Sequence, residues 1–518
     1  MKSIALLLLL TALGAVSQAY SQNVMITNVA NPNEPSIKID PKHPNRLVAG
    51  VNLNSYFWSS DTGRTWQRKP LYSDYGVWGD PVIDVDTAGN FYFFHLSNPP
   101  QGNWVDRIVC QKSEDYGATW SDGTYTGLNG SKVQDKHWSV VDRRTNHIYI
   151  TWTQFDQYES TNSADSTHIM FSKSTDEGST WSEAKRINNI GGDCIDGSNT
   201  VEGAFPAVGP NGQLYVVWSG PNGLVFKRSL DGGDSWSESE TIIDSLKSGW
   251  NYNIPGILRA NGLPVLKCDL SGGANHGTLY VNWSDQRNGK DDTDIWLSKS
   301  TDGGNTWTAP IRVNNDGPKK QQFFTWMDID QSNGKLYFVF YDRRNYEDRL
   351  TDVYLAMSDD GGKTFINKRI SESPFLPNAG VFFGDYTNIT VSDNIVRPIW
   401  ARLHSGQLSI WTDITPIDKL LASTIESIDN SNLASAYPNP AENISYVSFK
   451  LHELSLVKLE IYDQKGSILH TVIDNENRDY GQYIVPIDID KLNIPSGTYY
   501  YRLTINNKFR TLKTVITK

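Results

Sequence analysis

The sequence is poor in cysteine, in charge and in long apolar runs. Its three cysteines, Cys110, Cys194 and Cys268, among 518 residues are too few for a disulfide framework or a zinc ribbon. Charged residues make up 20%, too few for a disordered chain or a coiled coil. Lys and Arg number 47 against 58 Asp and Glu, a net charge of −11, which disfavours nucleic acid as a partner. Whether Cys194 and Cys268 form a disulfide is left open.

Residues 1–19 have the pattern of an export signal. Lys2 precedes an apolar run, and Ser17-Gln18-Ala19 places small residues where a signal peptidase cleaves. The run is too short to cross a bilayer, and no later stretch approaches 18 uncharged apolar residues. We therefore expect an exported, soluble mature chain without a membrane span.

Aromatic residues are abundant, at 12%, and an octad of the form Ser-x-Asp-x-Gly-x-Thr-Trp recurs. Its successive aspartates are 54 to 71 residues apart, a length that suits one four-stranded propeller blade. The six copies are Ser59–Trp66, Ser113–Trp120, Ser174–Trp181, Ser229–Trp236, Ser300–Trp307 and Ser358–Phe365. The Asp and Ser can hydrogen-bond local backbone, and the Gly supplies a turn. We therefore expect the six aspartates to be structural.

The octad resembles the Asp box, or BNR repeat, of sialidases and other secreted β-propellers. In those proteins the box lies on the face away from the active site. The resemblance implies an all-β, sialidase-like propeller over residues 24–413, with any active site on the opposite face.

A second repeat is a four-residue pattern, Tyr-x-x-Trp or a variant of it, which we call the aromatic tetrad. It precedes the octads and marks the second strand of each blade. A seventh copy at Arg397–Trp400 has no octad after it. The chain thus has seven inner hairpins, each joining the first and second strands of a blade, but six octads. This difference favours seven blades over six. The last blade then lacks an outer strand, which the segment Val24–Val29 can supply. Such closure removes exposed sheet edges.

Acidic residues recur in the loops that lead into the innermost strand of successive blades. They are Asp80, Asp135, Glu202 and Asp385, and we expect them to ring the mouth of the central channel. Converging carboxylates raise each other's pKa values or bind a hard cation, so the ring could supply a proton donor or hold Ca²⁺. We predict no required cofactor. The alternative is that each acid caps backbone amides of its own blade.

Arginines and tryptophans are the candidate substrate ligands. Arg287, Arg343 and Arg402 follow the second strands of three blades, and guanidinium groups suit the carboxylate of an acidic sugar. Alternatively, each Arg pairs with a neighbouring Asp. Trp78 and Trp138 lie in the lead-in loops and could form a sugar platform, although packing between blades is the alternative for the repeated aromatics.

The sialidase resemblance can be extended to these residues. Sialidases use an Asp acid/base, a Tyr nucleophile activated by Glu, and arginines that hold the substrate. The resemblance gives the acid/base role to Asp80 or Asp135 and the nucleophilic role to Tyr386 with Glu202. The family's early arginine motif is missing, because residues 34–39 read Glu-Pro-Ser-Ile-Lys-Ile.

The composition changes after residue 413. Residues 414–435 read as a polar linker, and residues 436–518 as a compact all-β domain, a small β-sandwich. The motifs Tyr437-Pro438-Asn439-Pro440 and Ser496–Leu503 closely resemble the type A C-terminal sorting domain of the Bacteroidetes type IX secretion system. This resemblance implies the type IX machinery as a partner and a secreted or outer-surface location. The tail would then be removed or used for attachment.

These patterns leave three hypotheses for function. The first is a secreted glycosidase acting on acidic or complex glycans, with exo-sialidase activity as one testable case. The second is a non-catalytic propeller that binds glycan or protein. The third is a polysaccharide lyase, in which Tyr386 and His137 would abstract a proton beside a uronate carboxylate. A monomer is expected in each case.

Overall fold

A computed structural model of the chain describes residues 22–422, 434–451, 455–479, 481–506 and 508–517. The predicted export signal, 1–19, and residues 423–433 of the predicted linker lie outside the described residues. The chain divides into two compact units, Met1–Leu421 and Ala422–Lys518. Among the described residues the only helix is α1 (Ile417–Ala422).

Seven four-stranded antiparallel sheets form the first unit. Its first strand, β1 (Asn23–Thr27), belongs to the seventh sheet. The other six sheets, blades 1 to 6, each use four consecutive strands, of which the first is innermost and the last outermost. Blade 1 consists of β2 (Ser36–Ile39), β3 (Leu47–Val51), β4 (Ser55–Ser59) and β5 (Gln67–Pro70). Blade 2 consists of β6 (Val82–Val85), β7 (Phe91–Leu96), β8 (Ile108–Ser113) and β9 (Thr124–Thr126). Blade 3 consists of β10 (Val133–Val141), β11 (Ile148–Phe155), β12 (Thr167–Ser174) and β13 (Lys185–Arg186).

The next three blades repeat this arrangement, with one insertion. Blade 4 consists of β14 (Glu202–Val208), β15 (Leu214–Gly220), β16 (Gly223–Ser229) and β17 (Thr241–Asp244). A two-stranded ribbon, β18 (Asn251–Tyr252) and β19 (Ala260–Asn261), follows it. Blade 5 consists of β20 (Val265–Cys268), β21 (Leu279–Asp285), β22 (Asp294–Ser300) and β23 (Ile311–Arg312). Blade 6 consists of β24 (Gln322–Asp330), β25 (Lys335–Asp342), β26 (Asp352–Ser358) and β27 (Ile366–Arg369).

Blade 7 joins the two ends of the propeller. It consists of β28 (Asn388–Ser392), β29 (Ile395–His404), β30 (Gln407–Asp413) and, outermost, β1. Strand β1 runs antiparallel to β30, with Val24 opposite Thr412. The innermost strands β2, β6, β10, β14, β20, β24 and β28 contact one another in a closed ring. The predicted all-β propeller is confirmed, and it has seven blades.

The aromatic tetrads supply the core between the sheets. Trp152, Trp218, Trp283 and Trp400 are fully buried on the second strands of their blades. Because aromatic side chains bury large areas, repeating one at each blade stabilises the packing of neighbouring sheets. These tryptophans are therefore packing residues rather than a sugar platform.

Each octad forms the hairpin between the third and fourth strands of its blade. In the fifth copy Ser300 Oγ donates to Asp302 Oδ1 (2.8 Å) and accepts from the Gly304 amide (2.9 Å). The amide and the hydroxyl of Thr306 both donate to the Asp302 carboxylate. Because the strands are antiparallel, this hairpin and the loop leading into the innermost strand lie at opposite ends of the blade. We call these ends the octad face and the cavity face.

The second unit has two sheets of its own. One contains β31 (Ser435–Tyr437), β32 (Ile444–Leu451) and β35 (Gly481–Asp488). The other contains β33 (Ser455–Tyr462), β34 (Ile468–Arg478), β36 (Gly497–Ile505) and β37 (Lys508–Ile516). Buried side chains from both sheets, among them Phe449 and Tyr501, share one hydrophobic core. This is a small β-sandwich, as predicted.

Candidate functional site

A cavity of about 380 Å³ lies among the lead-in loops on the cavity face. Its charged lining residues are Glu34, Asp80, Asp135, Lys136 and Arg259. Its aromatic lining residues are Trp78, Trp104, Tyr158 and Phe382. The predicted residues Trp78 and Asp80, from the loop into blade 2, thus lie in one cavity with the predicted Asp135 of blade 3.

β-Bulges direct several lead-in residues into the channel. In β10 the register shifts between Asp135 and Trp138, and Lys136 has a positive φ of 48°. Strand β14 shifts in the same way just after Glu202, and β24 shifts after Phe323. Bulges re-aim side chains and end regular pairing, so they free these residues from the sheet.

Lys136 is the electrostatic centre of the cavity. Its Nζ lies 2.7 Å from Asp385 Oδ2, 3.1 Å from Asp80 Oδ2 and 3.8 Å from Glu34 Oε1. Only 7% of the side chain is exposed. Burial opposes the charge, but the carboxylates led by Asp385 and Asp80 outweigh it, so the pKa of Lys136 lies well above its ordinary value.

Arg259 is the second cation of the cavity, from the segment just before β19. Its Nε donates to Asp385 Oδ1 (2.9 Å), and its Nη1 donates to Asp196 Oδ2 (3.1 Å). Asp385 therefore lies between Arg259 and Lys136. Burial alone would raise the pKa of Asp385, but the two cations lower it to about 2. Both cations are consequently engaged by carboxylates of the protein.

Glu34 and Asp80 form an acidic pair with unlike surroundings. Asn52 bridges them, donating from Nδ2 to Glu34 and accepting from the Asp80 amide (2.7 Å). Burial and the neighbouring charge of Asp80 raise the pKa of Glu34 well above its ordinary value. Asp80 instead forms an ion pair with Lys136. The surroundings thus favour a protonated Glu34 beside the ion-paired Asp80.

Asp135 has the ionisation behaviour of a general acid. Burial, partly offset by Lys136 and reinforced by Asp80 and Asp196, raises its pKa to about 7. Its Oδ1 accepts only a local hydrogen bond, from the Lys136 amide (2.8 Å). A carboxyl group with this pKa in an open cavity can donate a proton near neutral pH.

Glu202 and Tyr386 are buried and are not among the cavity-lining residues. Glu202 is 1% exposed, and burial together with Asp196 and Asp135 raises its pKa well above the ordinary value. Its Oε2 and the Tyr386 hydroxyl have no hydrogen-bond partner in the described part of the chain. Burial also raises the pKa of Tyr386. The predicted nucleophilic pair is thus neutral and enclosed.

The predicted platform residue Trp138 lies in the channel itself. Its ring centroid is 4.6 Å from that of Trp326, 5.1 Å from that of Tyr386 and 5.5 Å from that of Phe205. These four residues come from blades 3, 4, 6 and 7, so they meet across the channel. Their contact fills the channel, and Trp138 is only 6% exposed.

The three predicted substrate arginines have local partners. Arg287 forms an ion pair with Asp285 and lies 4.4 Å above the Trp296 ring. Arg343 donates from Nε to Thr351 Oγ1 (3.0 Å), and Arg402 donates from Nη2 to Ser373 Oγ (3.1 Å). In the described residues the cavity lining contains Arg259 and Lys136 instead. Substrate binding by Arg287, Arg343 and Arg402 stays a prediction.

The sequence patterns did not assign Glu34, Lys136, Arg259 or Trp104 to the site. Glu34 lies in the stretch where the sialidase resemblance predicts an arginine. Lys136 directly follows a predicted acid. Arg259 belongs to the insertion between the fourth and fifth octads, which are the furthest apart in sequence. That long spacing was the one sign in the sequence of an extra segment here.

No group of three or more His, Cys, Asp or Glu side chains within the described ranges is arranged to hold a metal ion. Of the described helices, none is long and apolar enough to cross a membrane. The cavity is lined by carboxyl groups, by aromatic rings and by the two cations Lys136 and Arg259, which both form ion pairs with carboxylates of the protein.

Comparisons with known proteins assign the C-terminal unit first. Residues 435–518 match the family "Secretion system C-terminal sorting domain". The predicted type IX sorting domain is thus confirmed. This domain marks secreted or cell-surface proteins, and the protein is secreted or lies at the outer cell surface.

The propeller has more distant relatives. A xyloglucanase from Paenibacillus sp. is 27% identical over 308 residues, which cover 53% of this chain. The match spans about a quarter of that relative, 26% of its length. A Hadza microbial sialidase, Hz136, is 14% identical with a TM-score of 0.43, covering 72% of this chain and 74% of its own. The α-L-arabinanase of Penicillium chrysogenum is 16% identical with a TM-score of 0.38, covering 62% and 93%.

Proposed function

We propose that the protein is a secreted glycoside hydrolase that acts on neutral or mixed complex glycans at the cavity. The observation that carries this proposal is a pair of carboxyl groups in one cavity with opposite surroundings. Asp135 has its pKa raised to about 7, whereas Asp80 forms an ion pair with Lys136. Most glycosidases use two carboxyl groups at the scissile bond, one of which donates a proton while the other is ionised.

In the proposed mechanism Asp135 donates its proton to the glycosidic oxygen as the bond to the leaving group breaks. Asp80 stabilises positive charge on the sugar ring, either as the nucleophile or by activating water on the other side of the ring. Lys136 positions Asp80 through the ion pair between the two side chains. General acid catalysis of this kind contributes about 10²- to 10⁴-fold.

The charge of the cavity favours a neutral substrate. Arg259 and Lys136 are both engaged by Asp385, so neither is a free cation for a sugar carboxylate. The carboxylate of Asp80, which lines the cavity, would repel an anionic sugar at close range. The xyloglucanase relative supports a neutral glycan more than sialate. We place acidic glycans second among the substrates for this reason.

The test is an assay with the full-length protein on xyloglucan, arabinan, a polyuronate and a sialylated glycan. We expect turnover of at least one neutral glycan and a loss of about 10²-fold or more in kcat/KM in Asp135→Asn and Asp80→Asn. Glu347→Gln is the control, because its side chain is 80% exposed and its carboxylate bonds Lys320 away from the cavity-lining residues. Absence of turnover on all four glycans, or unaffected Asp135→Asn, would overturn the proposal.

The variants Tyr386→Phe and Glu202→Gln distinguish two candidates for the nucleophile, Asp80 and Tyr386. If Asp80 is the nucleophile, both variants keep activity within about threefold. If Tyr386 activated by Glu202 is the nucleophile, as the sialidase resemblance implies, both lose activity as fully as Asp80→Asn. This second outcome would require the channel beneath the cavity to open for substrate.

Glycan binding without turnover is the second candidate function. The rings of Trp78, Trp104 and Tyr158, which line the cavity beside the acids, favour it, because aromatic faces suit sugar rings. A chelator that weakens binding would support Ca²⁺ at the rim. Lyase activity would instead yield an unsaturated product that absorbs in the ultraviolet.

The remaining assignments are part of the same proposal. We propose removal of residues 1–19 on export, a propeller over 24–413, a linker over 414–435 and a sorting domain over 436–518. Mass spectrometry of the protein recovered outside the cell tests the first cut and shows whether the tail is removed.

A further inference from the structure

An aromatic loop crosses the cavity face from the rim of the propeller to the cavity. This loop, residues 71–81, connects β5, the outermost strand of blade 1, to β6, the innermost strand of blade 2. Crossing a four-stranded sheet spans three inter-strand spacings, about 14 Å. The loop carries Tyr72, Tyr75 and Trp78 at intervals of three residues, so aromatic rings recur along its whole length.

A second row of residues accompanies this loop on blade 2. Trp104 meets the ring of Trp78 edge to face at 6.1 Å, and Tyr125 meets Tyr75 at 5.1 Å. The guanidinium of Arg107 lies over both tyrosines, 4.7 Å from the ring of Tyr125. We call Tyr72, Tyr75, Trp78, Trp104 and Tyr125 the aromatic track.

Much of the track is open to solvent. The exposed fraction is 77% for Tyr72, 37% for Trp78, 40% for Trp104 and 38% for Tyr125. Single exposed aromatics are ordinary, but a group of them on one loop and the adjoining blade, beside a cavity, marks a binding surface. Trp78 and Trp104 line the cavity, so the track is continuous with the candidate site.

The loop is held in place before any ligand binds. The Asn98 amide donates to the Tyr75 carbonyl (3.0 Å), and the Trp78 amide donates to the Leu96 carbonyl (2.9 Å). Gly76 has a φ of +66°, and a Cβ there would lie 2.0 Å from the Asn98 carbonyl oxygen. Only glycine permits this contact. A pre-ordered loop loses little conformational entropy on binding.

We propose that the aromatic track binds an extended polysaccharide chain that enters the cavity from the rim, so that the substrate is a polymer. The cavity end of this inference rests on the proposed hydrolase function. Alternate sugar faces stack on the rings. Arg107 of the track is paired with Asp106, and the loop also carries the exposed Asp74, so the track suits an uncharged chain better than an anionic one.

The test measures binding of xyloglucan and arabinan, and of disaccharides derived from each, to the full-length Asp135→Asn protein. Adding Tyr72→Ala and Tyr125→Ala should weaken polysaccharide binding about tenfold and leave disaccharide binding unchanged, because these rings lie outside the cavity. Tyr125→Phe keeps the ring and should bind like the parent. Tyr116→Ala removes an exposed tyrosine of the second octad and is the matched control.

The outcomes separate the two proposals. Polysaccharide binding that depends on Tyr72 and Tyr125, without turnover by the unmodified protein, overturns the hydrolase and supports the track. Turnover that Asp135→Asn abolishes, with binding indifferent to Tyr72→Ala and Tyr125→Ala, overturns the track and supports the hydrolase. Binding of neither polysaccharide overturns the track.

Discussion

The two faces of the propeller are built from the same blades in different ways. On the octad face, six hairpins repeat one hydrogen-bond pattern, as Ser174 and Asp176 of the third copy and Ser300 and Asp302 of the fifth illustrate. On the cavity face the equivalent loops present different residues, among them Glu34, Asp80 and Lys136. The residues that repeat are therefore those that each blade needs in order to fold. The residues that differ between blades are the candidates for binding or catalysis.

The difference has a physical basis in the range of the interactions. The Ser and Asp side chains of an octad bond within its own eight residues, so this pattern does not depend on the other copies. The cavity acids depend on cations from other blades: Asp385 of blade 7 bonds Lys136 of blade 3 and Arg259 beside blade 5. A change on the octad face should therefore stay local, whereas one in the cavity should spread.

The largest effect is expected from Lys136→Met. Removing this buried cation leaves Asp80 and Asp385 partly uncompensated, which costs about 3–5 kcal/mol for a broken buried pair. Urea denaturation measures this loss. On the octad face Lys363→Met should change the free energy of unfolding by less than about 0.5 kcal/mol. Equal effects of the two variants would contradict the comparison.

A smaller effect, which should be the same in another copy of the octad, is expected from Ser300→Ala. The buried Ser300 hydroxyl accepts from the Gly304 amide, and leaving that amide unsatisfied costs about 1–3 kcal/mol. Ser174→Ala removes the equivalent contact to Gly178 and should cost the same within about 0.5 kcal/mol. The same denaturation experiment measures both. A large difference between the copies would show that the octads are not independent.

The smallest effect, and one of opposite sign, is expected from Asp135→Asn. Because the pKa of Asp135 is raised to about 7, the folded protein binds more protons than the unfolded chain between about pH 4 and pH 7. This group's contribution to stability therefore falls as pH rises through that window. At pH 8 Asp135→Asn should stabilise the fold relative to the unmodified protein, while at pH 4 it should change little.

The activity of the unmodified protein should follow the same ionisation. The rate on a neutral glycan should decline above about pH 7, as Asp135 loses the proton that it donates. A pH–rate profile measures this decline. A rate that stays level up to pH 9 would exclude Asp135 as the acid.

The fold could be predicted in detail because its signals are local. Octad spacing identified the blades, and the seventh tetrad at Arg397–Trp400 without an octad identified the incomplete one, which β1 completes. The candidate site could be predicted only in part. Asp80 and Asp135 follow from loop position, and Arg287 pairs with the neighbouring Asp285, which the sequence offered as the alternative to substrate binding. The contact of Arg402 with Ser373, in contrast, joins residues that the pattern does not relate.

The sequence by itself determined the blades, the closing strand and the export tail, because each is encoded by residues close together in the chain. Only the tertiary structure decided which charges meet. Lys136 and Arg259 enclose Asp385 although 123 to 249 residues of chain separate them in sequence. Coulomb energy depends on distance in space and on burial, and the closed ring of blades sets both.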